Sequence, residues 1–186
     1  MNQRNVKWIG GLAAVGLLAR VASAGVADTP LPTFSASSPP GCAAGCASLA
    51  VYYAVGAIKN NGLETDFVCT NTTTSVQNIA LEVFDETGAL RNAIATIGQF
   101  LNVAAGATVT VGTGGTAILH EDQSLTLGPG GNNLQQLRNG SARILSTSKS
   151  ISCTALLVDK FHIIQDPAVG TQAAPTIANL PLIKLP

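Results

Sequence analysis

The chain has 186 residues, and only 11% of them are charged, with ten basic and ten acidic side chains. This length is sufficient for an N-terminal targeting segment and one domain with a hydrophobic core. Lysine and arginine form no cluster, which argues against a nucleic-acid-binding surface. The abundance of Gly, Ala, Thr, Ser, Asn and Val favours short strands and tight turns over long helices.

The first 24 residues have the features of a secretory signal peptide. Arg4 and Lys7 give a positively charged start, an apolar run follows at 8–18, and "ASA" at 22–24 is a small-x-small cleavage site. The apolar run is shorter than the roughly 20 residues of a membrane helix. We therefore expect cleavage after Ala24 and a secreted or periplasmic protein without a membrane span in its mature form. An uncleaved membrane anchor is the alternative.

The remaining chain is predicted to consist of a leader and one β domain. Prolines and small residues indicate an extended leader over 25–48. From residue 49, segments rich in Val, Ile and aromatic residues alternate with turn signals such as Asn61-Gly62, a pattern typical of strands. The predicted strands cover 49–58, 65–71, 76–85, 89–97, 107–113, 116–127, 141–147 and 150–159. They predict an all-β fold over 49–166, a single antiparallel β-sandwich of Ig-like or Greek-key type with about seven to nine strands.

The last segment, 167–186, is a proline-rich extended tail with apolar residues between its prolines. Proline lacks the N–H that a central strand requires, so the tail cannot lie in the middle of a sheet. We expect it to dock along the sheet of its own chain. Addition to the sheet edge of a neighbouring subunit is the alternative.

The four cysteines predict disulfides rather than a metal site. Cys69 shares an apolar strand face with Phe67, and Cys153 lies on an apolar face of a second strand. In an oxidising compartment this arrangement favours a Cys69–Cys153 disulfide, with Cys42 and Cys46 pairing locally. Four cysteines allow three connectivities, and the other two remain open. The spacing is not that of a zinc site, so no metal is predicted.

His120, Glu121 and Asp122 form the densest polar cluster. On a strand, His120 and Asp122 share a face, which suggests a ligand or cation site or an acid/base pair. The alternative is the solvated face of an edge strand, where charge discourages pairing with other chains. His162 is expected to be a hydrogen-bonded surface residue rather than a catalytic base. No catalytic residue and no cofactor is predicted.

Two glycine-rich loops, within 112–116 and 128–133, are interpreted as connectors. They lack the lysine and the following helix of a phosphate-binding loop. Polar loops of this kind can nevertheless bind a small ligand. The only tryptophan, Trp8, lies in the signal segment, which argues against an aromatic face for stacking on sugars.

Several segments carry a resemblance to known sequences: "TDFVCTN", "ALEVFDETGALRN", "VAAGATVTV" and "GSARILSTSKSISCTALLVD". They resemble small exported β-sandwich proteins of unknown function from environmental bacteria, over roughly 65–160. The resemblance implies a signal peptide, a compact β-sandwich and a pair of "CT" cysteines. It implies no activity.

Three hypotheses about function follow. The first is an exported, non-catalytic structural or interaction module of the cell envelope or extracellular space, whose partner is a second copy or another envelope protein. The second is a binder of a small ligand or glycan that uses loops 112–116 and 128–133. The third is a hydrolase that uses His120 and Asp122.

Overall fold

The computed structural model describes residues 25–35, 45–115, 121–128, 136–159 and 177–186. These residues contain strands and turns but no helix, which confirms the all-β class, and none of them forms a helical segment that could span a bilayer. The ten strands are β1 (Leu49–Asn60), β2 (Leu63–Asn71), β3 (Gln77–Phe84), β4 (Gln99–Val103), β5 (Thr108–Gly112), β6 (Gln123–Ser124), β7 (Leu137–Ser146), β8 (Ile151–Asp159), β9 (Ile177–Leu180) and β10 (Leu182–Lys184).

All ten strands belong to one mixed sheet that curls around its core. The main path runs β4-β3-β7-β1-β2-β5-β6, while β10 pairs with β1, β8 pairs with β2, and β9 pairs with β8. The short β5–β6 pair is parallel, and the other strand pairs are antiparallel. The finer prediction of one antiparallel sandwich with seven to nine strands is therefore not confirmed.

Strand β1 produces the curl because it pairs with different strands along its length. Its first part lies between β7 and β10, and its end forms a hairpin with β2. Three register shifts interrupt the β1–β7 pairing, and Gly56 has a positive φ of 87° beside one of them. Such bulges bend a strand and increase its twist. The hairpin turns at Asn61-Gly62, where both residues have positive φ, as the sequence predicts.

The strand predicted over 89–97 is not formed. Instead of strand pairing, the side chain of Asn92 bonds to β3. Its Oδ1 accepts from the backbone N–H of Val83 (2.7 Å), and its Nδ2 donates to the carbonyl of Leu81 (2.8 Å). The chain then turns, and the pairing strand is β4, two residues after the predicted one ends. Of the strand predicted over 116–127, only Gln123–Ser124 is a strand, and 116–120 lie outside the described residues.

The hydrophobic core lies on both faces of the β3–β7 pair. The larger cluster includes Leu81 and Ile144 on one face of this pair. The alternate residues Ala80 and Leu145 point to the other face, where they belong to a smaller cluster with Phe34 of the leader. Burial on both faces explains why every residue of β3 is buried.

Both ends of the described chain pack on the sheet. Thr33 in the leader forms a β-bridge with Ala47. In the tail, β9 lies at one open edge beside β8 and β10 at another beside β1, on either side of Pro181. The described part of the tail, 177–186, therefore docks on its own chain, at edge positions that tolerate proline.

Candidate functional site

Three carboxyl groups meet beside the 112–115 loop. Glu64 and Asp66 are two residues apart on β2 and therefore share one face of it, opposite to the face of Phe67 that packs in the core. Glu121 lies just before β6, and its side chain reaches the same place. Glu64 is 1% exposed and Asp66 is 0% exposed. We call Glu64, Asp66 and Glu121 the carboxyl cluster.

The loop approaches the carboxyl cluster closely because it contains glycine. A Cβ atom on Gly112 would overlap with Oδ1 of Asp66 and with the carbonyl oxygen of Gly114. A Cβ atom on Gly114 would overlap with the carboxyl group of Glu64. The backbone of this loop and the carboxyl oxygens therefore occupy a space that a larger residue at either position would fill.

Two threonines fix this loop to β2. The backbone N–H of Thr113 donates to the carbonyl of Thr65 (2.8 Å), and the backbone N–H of Thr65 donates to Oγ1 of Thr113 (2.9 Å). The Thr113 hydroxyl donates in turn to the carbonyl of Ile58 (2.7 Å). The position of the loop relative to Glu64 and Asp66 is therefore set by hydrogen bonds that do not involve the carboxyl groups.

Asp66 is a buried carboxyl without a donor. No N–H or O–H group of the described residues donates to either of its oxygens. Burial, together with the negative charges of the nearby Glu121 and Glu64 carboxyl groups, raises the pKa of Asp66 from 3.8 to about 8.

Of the two residues of the predicted ligand face, His120 and Asp122, the structure describes only Asp122. Asp122 has a structural bond, because its Oδ2 accepts from the backbone N–H of Thr110 (2.7 Å) while its own N–H donates to the carbonyl of Thr110 (2.9 Å). It thereby holds the short edge strand β6 against β5. His120 and His162 lie outside the described residues. Among the residues with coordinates described above, no group of three or more His, Cys, Asp or Glu side chains forms a ready-made metal site.

The two predicted ligand loops are described only in part. Residues 112–115 lie against the carboxyl cluster, whereas 116 and 129–133 lie outside the described residues. Gly128 donates its N–H to the carbonyl of Arg91 (2.8 Å).

The predicted Cys69–Cys153 disulfide is present and joins neighbouring strands. The two cysteines are directly opposite in the β2–β8 register, with their Cα atoms 4.2 Å apart. Cys46 is also disulfide-bonded, and its predicted partner Cys42 lies outside the described residues.

A second buried polar group was not predicted from the sequence. Arg143 on β7 is 1% exposed, and its Nε donates to Oε2 of Glu82 on β3 (2.8 Å). Its Nη1 donates to the leader carbonyls of Thr29 (2.7 Å) and Val26 (3.2 Å). Burial raises the pKa of Glu82, and the hydrogen bond and charge of Arg143 oppose that rise. The signal for this pair is a charged residue between two apolar neighbours in each strand: Glu82 follows Leu81 and precedes Val83, and Arg143 follows Ala142 and precedes Ile144.

Comparison with known proteins gives no relative. No family model matches the chain, and no significant match is found among the curated proteins or the solved structures.

Proposed function

We propose that the protein is an exported, non-catalytic structural or interaction domain of the cell envelope or the extracellular space. The observation that carries this proposal is the Cys69–Cys153 disulfide between neighbouring strands of the sheet. Disulfides form and persist in oxidising compartments and are rare in the cytosol. The signal-peptide pattern of residues 1–24 and the resemblance to small exported bacterial proteins agree with this location.

At the level of the fold, we infer an Ig-like or Greek-key arrangement in which two parts of the sheet face each other. One part is β4-β3-β7-β1-β10 and the other is β9-β8-β2-β5-β6, and the β1–β2 hairpin joins them. The shared core supports this inference, because Leu81 and Ile144 from the first part are in one cluster with Phe67, Val111 and Ala155 from the second.

An interaction role is favoured by apolar side chains on the outside of the sheet near the tail. Val55 on β1 is 59% exposed, Ile183 on β10 is 54% exposed and Ile177 on β9 is 46% exposed. The partner in this proposal is a second copy of the chain or another envelope protein. A binder of a small ligand or glycan is the second candidate, favoured by the position of loop residues 112–115 over the carboxyl cluster.

The hydrolase hypothesis receives less support. Asp122, one of the two residues of this hypothesis, accepts a hydrogen bond from the backbone N–H of Thr110 that holds the edge strand β6. A substrate would have to replace this bond before the carboxylate could act.

The proposal is tested by expressing the full chain in a bacterial host and fractionating the cells without reducing agent. We expect a mature protein that begins at Gly25, has no free thiol at Cys69 or Cys153, and is part of an assembly larger than one chain. The double variant Cys69→Ala/Cys153→Ala serves as the control for disulfide-dependent mobility on a gel. A cytosolic protein with free thiols would contradict export, and an oxidised monomer would contradict the assembly role and favour ligand binding.

A further inference from the structure

We propose that Asp66, Glu64 and Glu121, with the backbone carbonyl of Gly114, form a binding site for a divalent cation of the calcium type. The proposed site consists of the carboxyl cluster and its loop alone, so it is independent of the proposed structural role.

The first observation is the state of Asp66. Its side chain is fully buried, and no N–H or O–H group of the described residues donates to either oxygen. Burying a carboxylate without a donor or a cation costs several kcal/mol, and proteins normally avoid it by pairing the group. Here the neighbours are further carboxyl groups, which increase the cost. A bound cation would satisfy Asp66 and would also remove the repulsion within the cluster.

The second observation is the surroundings of Asp66. The Asp66 Oδ1 atom and the carbonyl oxygen of Gly114 both lie in the space that a Cβ of Gly112 would occupy, and Cγ of Glu121 is 3.2 Å from the same point. The carboxyl group of Glu64 lies beside Gly114. Carboxylate and carbonyl oxygens are therefore gathered around one short loop.

The chemistry of this donor set selects the type of cation. Ca²⁺ takes six to eight oxygen ligands at about 2.3–2.6 Å, in flexible geometry, from carboxylates, backbone carbonyls and water. Mg²⁺ requires near-ideal octahedral geometry, and zinc prefers nitrogen and sulfur ligands. As they stand, the described side chains include no group of three His, Cys, Asp or Glu that could hold a metal ion, so binding requires the carboxyl cluster to rearrange. We expect binding to draw Glu121, which is half-buried and precedes the two-residue edge strand β6, towards Asp66.

The experiment is a titration of the mature, oxidised protein with CaCl₂ by isothermal calorimetry, with thermal unfolding measured in parallel. We expect saturable one-site binding and a rise of several degrees in Tm at about 10 mM Ca²⁺, with a smaller rise in Mg²⁺.

The variants Asp66→Asn and Glu121→Gln should abolish both the binding heat and the Tm rise. Asn resembles the protonated form of Asp66, so the first variant is expected to fold, and its Tm without Ca²⁺ checks this. Glu86→Gln, an exposed carboxyl outside the cluster, is the matched control and should bind as the parent does. The absence of saturable binding by the parent, or equal binding by the parent and Asp66→Asn, would overturn the proposal.

Discussion

Asp66 makes the stability of the fold depend on pH in a definite direction. Its pKa is about 8 in the folded chain and near 3.8 when solvated, so the folded state holds a proton between these values that the unfolded state has lost. The stabilisation from this proton is fully present below about pH 3.8 and is lost as the pH rises to about 8. The loss is at most about 1.4 kcal/mol per pH unit.

We predict that Asp66→Asn, measured without divalent cations, flattens this decline. At about pH 8 the variant should have a higher free energy of unfolding than the parent, and at about pH 4 the two should be similar. Urea unfolding at several pH values provides the measurement. The difference between variant and parent is the relevant quantity, because Glu82 and Asp85 also have shifted pKa values. An equal pH slope in both proteins would contradict this assignment.

Position 112 requires glycine because neighbouring atoms leave no room for a Cβ atom, and not because its backbone angles are unusual. We predict that Gly112→Ala lowers the free energy of unfolding by about 1–3 kcal/mol, because the added methyl group overlaps with Asp66 and Gly114. Gly115→Ala in the same loop is the control, since the added methyl group would lie 3.1 Å from the rotatable Ser124 hydroxyl. Urea unfolding should show a clearly smaller loss for this control, and equal losses would count against the packing argument.

At the scale of the elements, two inward-facing residues, Leu180 and Leu182, pack the described part of the tail against the main core. Leu180 on β9 packs against the main core and contacts Gly56 of β1, while Ile183 on β10 is exposed. We predict that Leu180→Asp lowers the free energy of unfolding by about 1–3 kcal/mol and makes the tail sensitive to protease. Ile183→Asp should have little effect in the same thermal-unfolding and limited-proteolysis assays. The opposite order of effects would show that the tail is not held by its packing on the core.

The strands that the sequence predicts well are those with a strong apolar pattern and a turn signal at the end. Strands β1, β2, β3 and β8 belong to this group. Segment 89–97 has an apolar pattern too, but the Asn92 side chain uses the hydrogen-bonding groups of β3 there, and single-sequence patterns do not report such contacts. Strand β4 was therefore missed.

The carboxyl cluster was also missed, although half of its signal is present in the sequence. Glu64 and Asp66 have the two-residue spacing of one strand face. Glu121 reaches them only because β6 pairs with β5, which in turn pairs with β2. The predicted polar cluster at 120–122 therefore includes one residue of the carboxyl cluster. That residue is Glu121 and not Asp122, which bonds to Thr110.

At the scale of the whole molecule, Arg143 links the leader to the interior of the sheet. Its guanidinium binds Glu82 and the carbonyls of Val26, Thr29 and Pro30. These bonds connect β3 and β7 with a segment that lies more than a hundred positions before Arg143. The leader is therefore held by the folded domain at its start as well as at Phe34.

We predict that Arg143→Met lowers the free energy of unfolding by about 3–5 kcal/mol, because it leaves the buried Glu82 carboxyl without its partner. Protease should then cleave near residues 25–35. Arg91→Met is the matched control, since the Arg91–Asp85 pair is partly exposed and an exposed pair contributes about 0–1 kcal/mol. Chemical denaturation and limited proteolysis compare the two variants. Equal destabilisation would indicate that the buried Arg143–Glu82 pair contributes no more to stability than the partly exposed Arg91–Asp85 pair.

The pairing of β1 has a consequence for the order in which the chain can fold during synthesis. Apart from its own hairpin, β1 pairs with β7 and with β10, which are both far from it in the sequence. Long-range pairing of this kind is slow to form. Strand β1 therefore waits for these partners until the chain has been synthesised as far as Lys184. A chaperone or a narrow transport channel would meet an unfolded polypeptide, and folding would be completed only on release.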